Sequence, residues 1–330
     1  MTPIDTDRQS AAGIPPASPG DVGWNVYGEG WDPSFGTSAD FEVDGSADVE
    51  LVEPGRGPIE RSPAQPVPLA FVDGVRRAEL SLWAEHSVTG DRIPGLAGAY
   101  GVGAVVIRPG APARYAGIRV GRIAVWGGGH SGDIASRVGY RWASAPIAGT
   151  DPDECLAHLQ DRMRRAEGEL AIEAADAGWN VVLDGPLNRL WPPGLVAGYV
   201  KSHHRRILPE GAHAAVPGLG IGDRTRLYSV GSQRYTCYVR IGHPATGASP
   251  WSGIARLEFA ASAGLQEVIS RATLLSSLLP AHAGAHHRDQ RAPVNLTPVK
   301  SLEHRLAKAL GSVAMATRAA RDAITSGARR

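Results

Sequence analysis

Two aspartates occupy comparable places in this 330-residue chain. In PLAFVDGVRR (residues 68–77) Asp73 ends the apolar run LAFV, and in NVVLDGPL (residues 180–187) Asp184 ends VVL. Each is followed by glycine, which allows positive φ and a sharp exit from a strand. In an open α/β sheet, ligands gather beyond the carboxyl ends of the strands. Neighbouring strands lie about 4.8 Å apart, so aspartates ending adjacent parallel strands can share one divalent cation. Without a cation two such carboxylates repel, and one pKa rises. The plainer alternative is a pair of unrelated strand-end turns.

A third carboxylate comes from the segment between them. Leu156, Leu159, Met163, Ala166 and Leu170 recur at spacings of three and four, an amphipathic helix over 151–177. On a wheel of 100° per residue, Glu167 falls within about 55° of the stripe's centre. Glu173 falls about 65° away on the other flank, and Glu169 about 105° away, facing solvent. A glutamate at the margin of a buried face needs a partner. An ion held by Asp73 and Asp184 would serve, and so would Arg164, three residues earlier.

These residues have to be held by a sheet. PLAFV (68–72), AELSLWAEH (78–86), AYGVGAVVIR (99–108) and RVGRIAVWG (119–127) read as strands separated by Gly/Pro turns. The helix over 151–177, with TDPDE at its start and Gly178 at its end, leads into the strand WNVVLD. GLVAGYVKSHHRRIL (194–208) reads as a second helix, 224–260 as a set of strands, 263–279 as a helix, and the chain from about 299 as a last basic helix. Strands, a helix with an inward Glu, then a parallel strand ending in Asp outline a ribonuclease-H-like domain: a mixed α/β sheet flanked by helices, with additional strands and C-terminal helices. Two or three carboxylates there hold Mg²⁺ or Mn²⁺ for phosphodiester hydrolysis.

Composition narrows the class. Hydrophobic content of 43% and charged content of 20% suit a globular protein. No window approaches eighteen uninterrupted apolar residues, so no membrane span is expected, and the N-terminus lacks the pattern of a secretory signal. Cys155 and Cys237 are far apart and lack metal-site spacing, which fits a reduced, cytoplasmic protein. The net charge of +1 conceals an asymmetry. Residues 1–66 hold 12 acidic and 3 basic residues, net −9, leaving 31 basic and 21 acidic residues in 67–330, net +10. A basic body suits a polyanionic ligand. The first 66 residues, rich in Gly, Pro, Ser and Asp, read as an irregular, partly disordered acidic arm that the sheet domain of 67–330 can do without, although Trp24, Tyr27, Trp31 and Phe35 are unusual in such a segment.

An ordered set of motifs resembles the NurA-type nucleases: FVDGVRR, RMRRAEGELA, VVLDGPL, GYVKSHH, GDRTRLY, WSGIARLEF and RAPVNLTPVKSLEHRL, spanning about 68 to 310. The resemblance implies a ribonuclease-H-like fold and Mn²⁺-dependent (or Mg²⁺-dependent) cleavage of DNA, as a single-strand endonuclease and 5′–3′ exonuclease. It also implies a homodimer, and a HerA-type hexameric ATPase as partner in resecting broken ends during double-strand break repair. Asp73 and Asp184 match the family aspartates, Glu167 agrees with the helical glutamate, and His304 in SLEHRL matches the C-terminal histidine. Many relatives carry Tyr where this chain has Thr297, which puts the supporting role of that segment in doubt.

Other residues bear on the ligand. YVKSHHRR places Lys201, His204 and Arg205 within one turn of the expected helix, suited to phosphate contact, and the resemblance favours DNA contact for Lys201. Arg224, just before a strand, meets either DNA phosphate or Asp223. VWGGGHSGD (125–133) matches no nucleotide-binding fingerprint and reads as a loop, as does HAGAHHRDQR (282–291). Tyr199, Tyr228 and Trp251 either stack on bases or fill the core. The function expected is a metal-dependent deoxyribonuclease. The alternatives are a non-catalytic DNA-binding or clamp subunit on the same fold and, ranked last, an actin-like phosphotransferase.

Overall fold

The computed structural model describes residues 42–43, 48–86, 89–187, 196–203, 205–289 and 291–327. Trp24, Tyr27, Trp31, Phe35 and His204 lie outside the described residues. In chain order the elements are β1 (Glu42–Val43), β2 (Val49–Leu51), β3 (Leu69–Glu85), β4 (Arg92–Ile107), β5 (Arg114–Trp126), β6 (Ile134–Ala135), β7 (Arg141–Pro146), α1 (Pro152–Asp176), β8 (Asn180–Asp184) and β9 (Val196–Val200). There follow β10 (Arg205–Arg206), α2 (Glu210–Ala215), β11 (Tyr228–Val230), β12 (Arg234–Arg240), β13 (Ile254–Ala260), α3 (Leu265–Leu278), α4 (Thr297–Ala309) and α5 (Val313–Gly327).

Among the described residues, eleven strands form one mixed sheet in the order β2-β11-β12-β13-β9-β8-β3-β4-β5-β7-β6. At its centre β5, β4 and β3 run antiparallel, and β3, β8 and β9 run parallel. This is the strand order expected of a ribonuclease-H-like sheet, with α1 crossing between β7 and β8. Leu69 to Val72 pair in register with Asn180 to Leu183, so Asp73 and Asp184 stand level on adjacent parallel strands.

The two faces of the sheet are covered by different helices. Ala70, Val72, Val181 and Leu183 pack with Met163, Leu170 and Ala171 of α1. Leu69, Phe71, Val182, Ala197 and Tyr199 pack on the opposite face, with Val268, Ala272 and Leu275 of α3 and Val299 of α4. Strand side chains alternate between faces. The pleat therefore sends Asp73 and Asp184 to the α4 side and Gly74 to the α1 side.

Helix α1 begins where the sequence places it. Asp151 is the N-cap, its Oδ1 accepting from the Asp153 N–H at 2.9 Å, and Pro152 occupies the first turn. Gly178, at φ 83°, follows its end. Glu167 on this helix is buried, whereas Glu169 is exposed and Glu173 meets Arg119 at the surface.

Three expectations about the elements are corrected. The segment expected as a helix over 194–208 contains a strand, Val196–Val200, followed by the short strand β10. VAGYV lies between β8 and β13 and is buried on both faces, so its polar–apolar alternation vanishes. The separate strands 68–72 and 78–86 are one strand, β3, with a bulge between Ala78 and Leu80. The C-terminal helix is two helices, parted near Gly311 at φ 75°.

Residues 48–66, assigned by sequence to the arm, contact the sheet. Strand β2 pairs with β11 as its edge strand, and Ile59 bridges to Arg224.

Candidate metal centre and the cavity beside it

Oxygen atoms of Asp73, Asp184 and Glu303 all lie within 4.8 Å of one another. Asp73 is the fifth residue of β3, Asp184 comes from the end of β8, and Glu303 from the second turn of α4 above them. Val299, Leu302 and Leu306 seat α4 on the sheet. Its last carbonyls are fixed by two arginines. Arg77 donates to Gly311 O at 2.8 Å and to Leu310 O at 3.2 Å, and Arg122 donates to Leu310 O at 2.6 Å. Cations at a helix C-terminus satisfy carbonyls that the helix cannot.

The two Asp-Gly pairs serve different purposes. At Asp184 the strand ends, and Gly185 takes φ 103°, a region that favours glycine. At Asp73 there is no turn, and β3 continues for twelve residues to Glu85. Gly74 is required by close approach instead. A Cβ there would lie 2.6 Å from Glu167 Oε1 and 3.0 Å from Met163 Cγ.

Glu167 is thus beneath the pair, on the α1 side, rather than in the three-carboxylate group. Its Oε2 accepts from Arg164 Nη1 at 2.9 Å, and the same nitrogen donates to Asp184 O at 2.9 Å. Of the two partners weighed for Glu167, the structure shows Arg164, with which it makes an ion pair, while Glu167 stands outside the carboxylate group that could hold an ion.

The carboxylates are short of partners. Asp73 Oδ2, Asp184 Oδ1 and Glu167 Oε1 are buried with no hydrogen bond. Burial holds the Asp73 carboxyl well above the usual range, and the charges of Asp184 and Glu167 push the same way. Burial likewise raises Glu167 to about 7, against the opposing charge and hydrogen bond of Arg164. Glu303 is raised by burial and by Asp184, while Lys201 pulls it down. Three clustered carboxylates, two of them (Asp73 and Asp184) with an unpartnered oxygen, suit a hard divalent cation, which takes oxygen ligands and removes the repulsion. The residues therefore fit a divalent cation, and Asp73, Asp184 and Glu303 would hold it.

A chain of polar contacts surrounds the group. Lys201 Nζ donates to Asp184 Oδ2 at 2.8 Å and to Asn295 Oδ1 at 3.1 Å. Asn295 Nδ2 donates to Asp289 Oδ2 at 2.7 Å, and Lys300 pairs with Asp289 at 3.2 Å. Lys201 was expected on a helical surface. It follows β9 instead and is 9% exposed, which makes it a cation of the site.

Past Asp184 a half-open cavity of about 540 Å³ extends over the ends of β8 and β9. Its walls include Arg164, Lys201, Arg234, Arg256 and Arg291. Glu258 is wholly buried behind it. Its Oε1 accepts from Arg256 at 2.7 Å and Arg234 at 3.2 Å, and its Oε2 accepts from the Leu187 N–H at 3.0 Å.

Several sequence expectations end elsewhere. Arg224 is 1% exposed and makes a bidentate pair with Glu53, at 2.6 and 2.8 Å, with a further bond to Thr273 Oγ1 at 2.8 Å. No phosphate can reach it, and its partner is neither DNA nor Asp223. His304 is exposed on α4, while its neighbour Glu303 enters the site. The wheel that selects Glu167 would have separated the two. Taking Val299, Leu302, Leu306 and Leu310 as the stripe, Glu303 lies about 55° from its centre and His304 about 155°. Arg205 belongs to β10, but its side chain is outside the described part, as is His204 entirely.

The plainer readings hold for other segments. Thr297 donates from its hydroxyl to Ala283 O at 3.3 Å, a structural contact. Tyr199 is core, its hydroxyl donating to Val294 O at 2.7 Å, and Trp251 packs with Tyr238 and Leu208. In the glycine-rich loop, the N–H groups of Gly128 and Gly129 donate to Gly149 O and Ile147 O, so they are not presented to a phosphate.

Among the described residues no helix is long and apolar enough to cross a membrane. No protein-family model matches the chain, nor does any curated protein sequence. Among solved structures, the NurA nuclease from Sulfolobus solfataricus is similar at a TM-score of 0.41 and 9% identity, over 80% of this chain and 86% of that one.

Proposed function

We propose that this chain is a metal-dependent deoxyribonuclease. The observation that carries the reading is the Asp73–Asp184–Glu303 group, its unpartnered oxygens lying beside a cavity rich in arginine. Carboxylates that hold a cation, next to cations that hold an anion, suit a phosphodiester substrate. A bound divalent ion supplies an activated water near neutral pH and counter-charge for the phosphorane-like transition state. The chain's own residues do the rest. Lys201, itself held by Asn295 Oδ1, donates to Asp184 Oδ2 and leaves Asp184 Oδ1 unpartnered for a ligand. Arg164 holds the backbone at Asp184 and neutralises Glu167, which preserves the spacing of the two strands' carboxylates. Arg256 and Arg234 line the approach of the strand.

The order of NurA-like motifs supports DNA as substrate, Mn²⁺ as the preferred ion, a homodimer, and a HerA-type translocase as partner in end resection. The test is incubation of purified protein with labelled single-stranded DNA in Mn²⁺, in Mg²⁺ and in EDTA. Cutting in metal, absent in EDTA and in Asp73→Asn, is the expected result. Tight binding with no cutting in either metal would select the clamp reading.

A further inference from the structure

We infer that Glu79 is a positioning residue for the metal centre: through Arg77 and Arg122 it sets the C-terminal end of α4, and with it the place of Glu303. The inference rests on the reading of Asp73, Asp184 and Glu303 as the ligands of a divalent cation.

The sheet by itself fixes only two of the three carboxylates. Asp73 and Asp184 are held by the register of β3 with β8, whereas Glu303 comes from a helix laid on the sheet. Apolar packing seats that helix, but the hydrophobic effect is non-directional. Beneath α4 the strand β4 presents glycines. A Cβ on Gly101 would lie 3.4 Å from Leu310 Cδ2, and one on Gly103 would lie 3.2 Å from Leu302 Cδ1. A surface of this kind lets the helix come close and offers little to stop it turning or sliding. The side chains of a working site have to be held within about 0.5 Å, so α4 needs directional contacts.

Those contacts gather at Leu310 and Gly311, about two turns beyond Glu303. Arg77 and Arg122 donate to their carbonyls, and behind both arginines is Glu79, its side chain wholly buried. Glu79 Oε1 accepts from Arg77 Nη2 at 2.6 Å, and the same nitrogen donates to Leu310 O at 3.2 Å. Glu79 Oε2 accepts from Trp142 Nε1 at 2.8 Å and pairs with Arg122 at 3.5 Å. Arg122 also lies over the ring of Tyr140, which stacks on Trp142. The carbonyl of Glu79 accepts from the Thr317 hydroxyl of α5 at 2.7 Å, so the backbone is held as well. Desolvating a carboxylate is costly unless it is well paired, and here the pairing aims two guanidinium groups at one helix end.

The placement along β3 completes the argument. Glu79 occupies the bulge between Ala78 and Leu80, six residues after Asp73. A bulge re-aims side chains locally. One strand therefore carries a ligand and also the buried carboxylate that orients the hold on the helix carrying another. The separation of Asp73 from Glu303 is set by that strand.

The experiment measures metal binding, apart from cleavage. Mn²⁺ is titrated calorimetrically into full-length protein without DNA, well below each variant's melting temperature. Glu79→Gln should weaken Mn²⁺ binding at least about tenfold, as loss of an outer-shell partner does, and Arg122→Gln should weaken it in the same direction by less. If Glu79→Gln does not fold, Arg122→Gln decides alone. Glu53→Gln, which loses an ion pair near the β2 edge of the sheet, should keep wild-type Mn²⁺ affinity. Saturating Mn²⁺ should restore cleavage of single-stranded DNA in Glu79→Gln to within a few-fold of wild type, whereas Glu303→Gln should not recover at any Mn²⁺ concentration. Wild-type Mn²⁺ affinity in Glu79→Gln and Arg122→Gln overturns the proposal. An equal loss of affinity in Glu53→Gln also overturns it, because the effect would then be general loosening. A wild type whose Mn²⁺ binding is abolished by Asp73→Asn but which never cuts DNA refutes the nuclease reading and leaves the positioning role standing. A wild type that binds no Mn²⁺ removes both.

Discussion

At the scale of single residues, the decisive pair is Glu303 and His304, neighbours on α4 that only one helical register can admit to the site. Glu303→Gln removes a ligand charge while preserving shape. Its cleavage rate in Mn²⁺ should fall at least a hundredfold, whereas His304→Gln should stay within a few-fold of wild type. The reverse ranking would show that the histidine, not the glutamate, serves the reaction. Asp73→Asn and Asp184→Asn should lose cleavage by orders of magnitude. They should bind DNA as well as wild type or better, because a negative charge near phosphate has gone. Two variants that cut at the wild-type rate would place the metal elsewhere. The raised pKa of Glu167 carries a second consequence. A carboxyl whose folded pKa exceeds its unfolded value stabilises the fold fully below the unfolded value, here 4.5. That contribution is lost as pH rises toward about 7. In EDTA, melting temperature should therefore drop more steeply between pH 5 and pH 7.5 in wild type than in Glu167→Gln, which has no proton to lose. Added Mn²⁺ should raise the melting temperature more at pH 7.5 than at pH 5, where protons compete for the raised carboxyls of Asp73 and Glu303 that would hold it. Parallel melting curves for wild type and Glu167→Gln across this range would refute the assignment.

At the scale of elements, the site depends on how closely α1 approaches β3 and how sharply β8 ends. Gly74→Ala would press a methyl group into Glu167 and Met163, and the helix must shift to admit it. Overpacking of this kind costs about 1–3 kcal/mol, and urea denaturation should show it together with reduced cleavage. Gly185→Ala is strained by its φ of 103° and meets Arg164 Nη1 at 3.0 Å, for a cost of about 1–3 kcal/mol. Full stability in either variant would contradict the packing described. These two glycines also show how far the sequence could be read. The doublets rightly flag adjacent parallel strands, because an apolar run ending in Asp is a local pattern. What Gly74 does is decided by a helix more than eighty residues away, which no local pattern reports. Helix α1 was legible down to its inward glutamate because one face is buried and the other wet. Strand β9 was not, since a strand buried on both faces has no alternation to display. Arg234, Arg256 and Glu258 were missed for a related reason. They sit at inward positions of strands read only as strands, and their meeting at the cavity follows from the pairing of β12 with β13 and of β13 with β9.

At the scale of the whole molecule, the charge asymmetry of the sequence and the connectivity of the fold divide the chain at different points. By charge, 1–66 is an acidic arm and the remainder is basic. By contact, residues 48–66 belong with the sheet, since β2 extends its edge and Glu53 is buried against Arg224. Burial alone would raise the Glu53 carboxyl, yet Arg224 and the Leu227 N–H hold it below its ordinary value. Arg224 in turn touches Thr273 on α3, so the pair ties the N-terminal strap to both the sheet and a helix beneath it. Removing one partner of a buried pair leaves the other charged and unsolvated, at a cost of about 3–5 kcal/mol. The expectation that everything before residue 67 is dispensable therefore divides in two. A chain starting at residue 48 should melt cooperatively, within a few degrees of the full-length protein. A chain starting at residue 67 exposes the edge of β11 and strands Arg224, and it should melt much lower or aggregate. Glu53→Gln in the full-length protein separates the two contributions, because it weakens the ion pair and keeps β2. It should lose part of the stability that truncation at 67 loses. Calorimetry on the four proteins decides the matter: equal melting temperatures for the chains starting at 48 and 67 would show that the strap is an ornament of the sheet and that the boundary read from charge is the physical one.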